Sequence, residues 1–189
     1  IADSLNDKDF RKSFAKYYLE ISKDQKINDL LSEIKQTLHP MDVIRTVVSY
    51  KGELTTLRKQ QLDKEDKTEL SARINATVCY IIASYHKESC DELDSQYLVA
   101  SSLLPNSSSK DQLEALDDML ILYAEHGFNA STFATRVTAS TRADLTGAIV
   151  SGIATLKGEL HGGANERAVE LINSFDSVEE AIDGVKQLL

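Results

Sequence analysis

The sequence predicts an all-α protein. Apolar residues recur at helical spacing through most of the 189 residues, in one stripe after another. Only two prolines, Pro40 and Pro105, interrupt a chain rich in Leu, Ala, Glu, Lys and Ile. No stretch shows the period-two alternation of a half-buried strand. With 42% hydrophobic residues the chain is long enough for one sizeable core and the start of a second domain.

Residues 5–37 read as two amphipathic helices, one carrying Phe10, Phe14, Tyr17, Tyr18 and Ile21, the next Ile27, Leu30, Leu31 and Ile34. A helix begins at Leu38-His39-Pro40-Met41-Asp42, because proline at the first helical position loses no hydrogen bond and an acid in the first turn suits the dipole. Met41, Ile44, Val47 and Val48 form its inner face. Gly52 to Lys67 is a polar connection with helical stretches, followed by a helix from about Thr68 to His86. After the loop Pro105 to Ser109, Ser109 and Gln112 make a capping box for a helix with Leu113, Leu116, Leu120 and Tyr123 facing inward.

From Ala130 to Gly158, 18 of 29 residues are Ala, Gly, Ser or Thr, which lets helix backbones approach closely. Such a segment belongs deep in a bundle or at a subunit interface, and Thr141 with Asp144 offers a helix start inside it. Helices from Asn165 to Phe175 and from Ser177 to Leu189, the latter with Ser177 and Glu180 as its capping box, complete the pattern.

A net charge of −9 without a basic stripe argues against a nucleic-acid or anionic-membrane partner. The apolar stretch Leu145 to Leu156 is 12 residues, short of the roughly 20 that a membrane span requires. Cys79 and Cys90 are too few for a disulfide framework or a zinc site, Cys79 reads as helix core, and a reducing cytoplasm is the expected setting. The chain opens on Ile1 and closes inside a helical pattern at Leu189, which suggests an internal piece of a longer polypeptide.

Two histidines sit at helix breaks beside glycines. His161 lies between Leu160 and Gly162-Gly163, directly before a helix, where its ring can face a cleft and the glycines allow close approach of a ligand. A helix-stop turn with a merely capping histidine is the alternative. His126 ends one helix and leads through Gly127-Phe128-Asn129 into another, which suits either a ligand contact or a C-terminal histidine with Gly127 as the left-handed stop. Asn129 closes a turn or donates to a carboxylate. Arg136 and Arg142, among small residues, call for an internal acid or a substrate carboxylate. His39 before Pro40 reads as structural and His86 as a solvated helix end. The spacing around His126 and His161 does not suit a metal, and no phosphate-loop, nucleotide-fold or Ser-His-Asp signature is present.

Three segments, in order, resemble signatures of the citrate synthase family: His39-Pro-Met-Asp-Val-Ile-Arg-Thr46, Leu122-Tyr-Ala-Glu-His-Gly-Phe-Asn-Ala-Ser-Thr-Phe133 and Lys157-Gly-Glu-Leu-His-Gly-Gly-Ala-Asn-Glu166. The form Ala124-Glu125-His126 leans slightly to the 2-methylcitrate synthase branch. The resemblance implies a multi-helical fold with a large domain, here residues 1–163, and the start of a small domain, residues 164–189, with a hinge near Gly162-Gly163. It implies condensation of an acyl-CoA with oxaloacetate, with no metal or other cofactor, the CoA thioester being a substrate. His161 would hydrogen-bond the thioester carbonyl and steady the enol; His126 and Asn129 would contact oxaloacetate; Leu160, Gly162, Gly163 and Ala164 would touch the CoA thioester arm. Family members are homodimers, and the small-residue segment would lie at or near that contact.

Two departures stand out. Glu159 replaces a frequent proline and adds negative charge near an anionic ligand. The family's later Gly-Phe-Gly-His motif, its aspartate base and its carboxylate-binding arginines have no counterpart in this sequence, so these residues by themselves should not complete the reaction. The other readings are a helical dimerisation or regulatory module without chemistry, or a lyase embedding such a domain.

Overall fold

The computed structural model describes residues 8–52, 64–86, 93–124 and 127–188. Their helices are α1 (Lys8–Ser22), α2 (Gln25–Ile34), α3 (Pro40–Tyr50), α4 (Lys64–Ala83), α5 (Leu98–Leu103), α6 (Lys110–Tyr123), α7 (Ala130–Ser140), α8 (Leu145–Leu156), α9 (Gly162–Asn173) and α10 (Val178–Leu188). There is no strand among the described residues. The all-α expectation holds.

The core forms where α1 lies along α4. Phe10, Phe14, Tyr17, Tyr18 and Ile21 face Ala72, Ala76, Cys79, Tyr80 and Ile81, and α2 and α3 close the sides with Ile27, Leu31, Val43, Ile44, Val47 and Val48. Each large side chain so buried contributes about 1.5–3 kcal/mol. Burial pushes the Cys79 thiol up to about 11, so it sits in the core as an inert apolar group. Cys90 lies outside the described residues. Tyr17 donates to Glu69, and burial together with that bond raises its hydroxyl to about 12.

Local chemistry sets the helix ends. Ser109 and Gln112 make the expected capping box for α6, and Ser177 accepts from the Glu180 N–H before α10. Asp144 alone caps α8, accepting from Gly147 N at 2.8 Å, while Thr141 closes α7. The first turn of α4 starts at Lys64, ahead of the expected Thr68, because its Lys-Glu-Asp-Lys run is polar but favours helix. Likewise α9 starts at Gly162 rather than Asn165.

Asp24 caps α2 from Lys26 N and Ile27 N and also accepts from Lys51 Nζ at 2.5 Å. The Lys51 contact, ahead of the backbone donors, holds its carboxyl below the ordinary 3.8. A carboxyl so depressed stabilises the fold above its unfolded value, and that stability is lost as pH falls through the folded one. Asp24→Asn keeps a capping oxygen and removes the charge. Its melting temperature should lie below wild type near neutral pH, with the gap closing below about pH 4; a gap constant with pH would refute the charge contribution.

The second layer is built on α3. α8 packs on α3, and α7 packs on α8. Their approach is close: a Cβ on Gly152 would stand 2.2 Å from Thr135 Oγ1, and Thr138 Oγ1 donates to Ser151 Oγ at 2.9 Å. The small-residue composition therefore does what the sequence suggested. The outer faces differ from expectation, however. Tyr123 is 71% exposed rather than inward, and Arg136 and Arg142 are exposed rather than set in an apolar interior. Arg136 stands 4.9 Å over the Phe128 ring. Small residues do not by themselves mark an inner face: Thr132, Ala139 and Ser140 of α7 are exposed, as are both arginines.

Candidate active site

The site is built from the N-terminus of α7 and the turn between α8 and α9. Asn129 caps α7, its Oδ1 accepting from Thr132 N at 2.7 Å and from Ser131 Oγ at 2.8 Å. The closing role is thus observed for Asn129. After α8, Gly158 O accepts from both His161 N (2.9 Å) and Gly163 N (3.1 Å), and His161 O accepts from Ala164 N at 3.0 Å. These bonds curl the chain into a tight turn. A Cβ on Gly162 would fall 2.4 Å from Leu156 O, so only glycine fits there without backbone movement.

This turn sets the His161 ring half-buried, with Nε2 at 3.1 Å from Ser131 Oγ. Thr132 N–H makes the facing atom of Asn129 an oxygen, Ser131 donates its one hydroxyl proton to that oxygen, and Ser131 Oγ is left to accept from His161 Nε2–H. Neutral His161 therefore carries its lone pair on Nδ1. α9 begins immediately beyond, and no side chain caps its first turn, which leaves the positive end of its dipole beside the ring.

Leu160 is 96% exposed, Gly162 and Gly163 are half-buried, and Ala164 is exposed. These four residues line the accessible side of the turn. Gly127 has φ +85°, as expected of a left-handed stop, whereas His126 lies outside the described residues. The negative charge introduced by Glu159 is paired: Arg167 donates through Nη1 to its carboxylate and through Nη2 to its backbone carbonyl at 2.6 Å. His39 is structural as expected, capping α3 by accepting from Met41 N at 3.2 Å with Nδ1. Its Nε2 stands 3.3 Å from Glu166.

Ser131 stands inside the Leu122–Phe133 motif with nothing in the sequence to give it a role. Its place two residues beyond a helix cap carries no signal that a ring 30 residues later would meet it. Among the described residues no cluster of three or more His, Cys, Asp or Glu side chains could hold a metal ion. No helix among them is long and apolar enough to cross a membrane.

The arrangement of helices is one shared with citrate synthases of known structure. The chain superposes with a TM-score of 0.68 and 24% identity on citrate synthase from Thermoplasma acidophilum, solved as a ternary complex with carboxymethyl coenzyme A and oxaloacetate, over 89% of this chain and 45% of that one. The family described as citrate synthase, C-terminal domain, matches residues 2–189, and the chain belongs to the citrate synthase family. It is 35% identical to a 2-methylcitrate synthase of Shewanella oneidensis, over 84% of this chain and 44% of the relative. It is 31% identical to a citrate synthase of Deinococcus radiodurans, over 90% of this chain and 48% of the relative. The chain thus spans about half the length of the curated relatives it matches.

Proposed function

We propose that these residues form part of an acyltransferase that condenses acetyl-CoA or propionyl-CoA with oxaloacetate and water, giving citrate or 2-methylcitrate and free CoA. The observation that carries this reading is the seat of His161: a half-buried ring on a glycine turn, braced by Ser131 and flanked by exposed backbone. In this reading His161 polarises the thioester carbonyl. Donation from Nδ1 requires the Ser131 hydroxyl to turn from Asn129 to Nε2, which leaves the ring proton on Nδ1 to meet the developing oxyanion. Leu160, Gly162, Gly163 and Ala164 contact the CoA thioester arm, and His126 with Asn129 contacts oxaloacetate. The reaction as proposed draws on no metal or other cofactor. Residues 1–163 belong to the large domain and 164–189 to the small one, hinged near Gly162-Gly163.

The acyl group is the finer question. One methylene is worth about 1–3 kcal/mol of discrimination, and relatives named for both products resemble the chain to a similar degree. The experiment supplies the complete protein with oxaloacetate and either thioester and follows free CoA with a thiol reagent. Oxaloacetate-dependent release supports the reading and names the preferred acyl group; silence with both overturns it.

A homodimer completes the proposal. No residue of α6 or α7 is fully buried, and Met119, Leu122 and Tyr123 of α6 and Phe133 and Val137 of α7 are exposed. A second copy covering this surface accounts for so much exposed apolar area. Light scattering at micromolar concentration should give a dimer, and a monomer would exclude this assembly.

A further inference from the structure

The turn that carries His161 is fastened at both ends to one place, the N-terminus of α3. At its start Lys157, which closes α8, donates from Nζ to Asp42 Oδ2. At its end Glu166, in α9, meets His39 Nε2 at 3.3 Å. His39 is the cap of α3 and Asp42 lies in its first turn. Asp42 is the better buried partner, with its side chain 18% exposed, and its other oxygen accepts from Arg45 at 2.9 Å. The Lys157 hydrogen bond holds the Asp42 carboxyl below the usual carboxylate range, so the charge needed for the contact persists at neutral pH. The turn is further tied by Arg167, just past the second anchor, to Glu159.

We propose that Asp42 and His39 are positioning residues for His161, acting through Lys157 and Glu166 as a two-point clamp on the turn that presents its ring to Ser131. His39 contributes a fixed tautomer: because Nδ1 accepts from Met41 N, neutral His39 carries its proton on Nε2, the atom that faces Glu166 at 3.3 Å. Neither residue touches the reacting atoms. The backbone bonds to Gly158 O shape the turn, and the clamp fixes where that shape sits relative to α7.

The inference rests on the proposed role of His161 for its catalytic meaning, but its test needs no turnover. The complete protein and its Asp42→Asn variant are treated with diethyl pyrocarbonate, and modification of each histidine is followed by peptide mass spectrometry. With the anchor gone, the turn opens more often and His161 should react about threefold faster or more. His86, exposed at the far end of α4, serves as the internal control and should react at the wild-type rate. Asp42→Glu, which keeps the charge, should restore the slow rate, and His39→Gln should raise it less, since its pair with Glu166 is more exposed. Lys157→Gln cuts the same contact from its more exposed side and substitutes for Asp42→Asn should that variant fail to fold. Wild-type reactivity of His161 in folded Asp42→Asn or Lys157→Gln protein would overturn the proposal. Equal acceleration of His161 and His86 would do so as well, by showing general loosening.

Discussion

Replacing His161 with alanine is expected to lower oxaloacetate-dependent CoA release by about 10²–10³. The ring is the one imidazole that the described residues place on the glycine turn, and it touches α7 through Ser131. Its removal takes away the donor that would meet the developing oxyanion and leaves the turn itself intact, since the bonds shaping it run through Gly158 O and backbone N–H groups. The ring is only half-buried, so the melting temperature should change little. Steady-state rates with each thioester, measured beside a thermal melt, separate the two effects. Turnover equal to wild type would remove His161 from the chemistry.

Phe14→Ala should have the largest effect on stability, about 3–5 kcal/mol. Phe14 is 0% exposed at the centre of the α1–α4 contact. Its ring stacks on Tyr18 at 6.0 Å between centroids and lies 6.1 Å from Phe10, and Tyr18 in turn meets Tyr80 edge-on at 5.8 Å. Truncation opens a cavity in a row of aromatic rings whose backbones are held by two long helices, so the space cannot collapse fully. Domains of ordinary stability hold about 5–15 kcal/mol in total, which makes this loss a large share. Urea unfolding should show a lower midpoint with an unchanged slope, and a shift below about 1 kcal/mol would mean that the helices close over the gap.

The parts of the fold that could be read from sequence are those governed by local spacing. Phe10, Phe14, Tyr17 and Ile21 announce one face of α1, and His39-Pro40 and Ser109 with Gln112 mark helix starts, because periodicity and caps act over a few residues. The short α5 leaves no mark in the sequence: six residues without a side-chain cap offer no periodic signal. Tyr123 lies on an apolar stripe yet is exposed, because a stripe says that a face is apolar and not what covers it. The same division holds at the site. His161 and its glycines were legible from the turn chemistry and from family resemblance. Ser131 as the ring's partner and Asp42 as the anchor of Lys157 were not, since both contacts depend on how α7, α8 and α3 pack.

The anchoring of the His161 turn on α3 has a consequence for the order in which this chain folds. Lys157 and Asp42 are 115 residues apart, whereas the helices themselves form within their own segments. Bringing such distant residues together costs loop-closure entropy that is offset only once the intervening helices have packed. The turn can settle only after α3 is seated on the core and α8 has docked upon it. Ser131 and His161 lie only 30 residues apart, so their contact can form as α7 and α8 pair, and it is the anchorage on α3 that waits for the α1–α4 core.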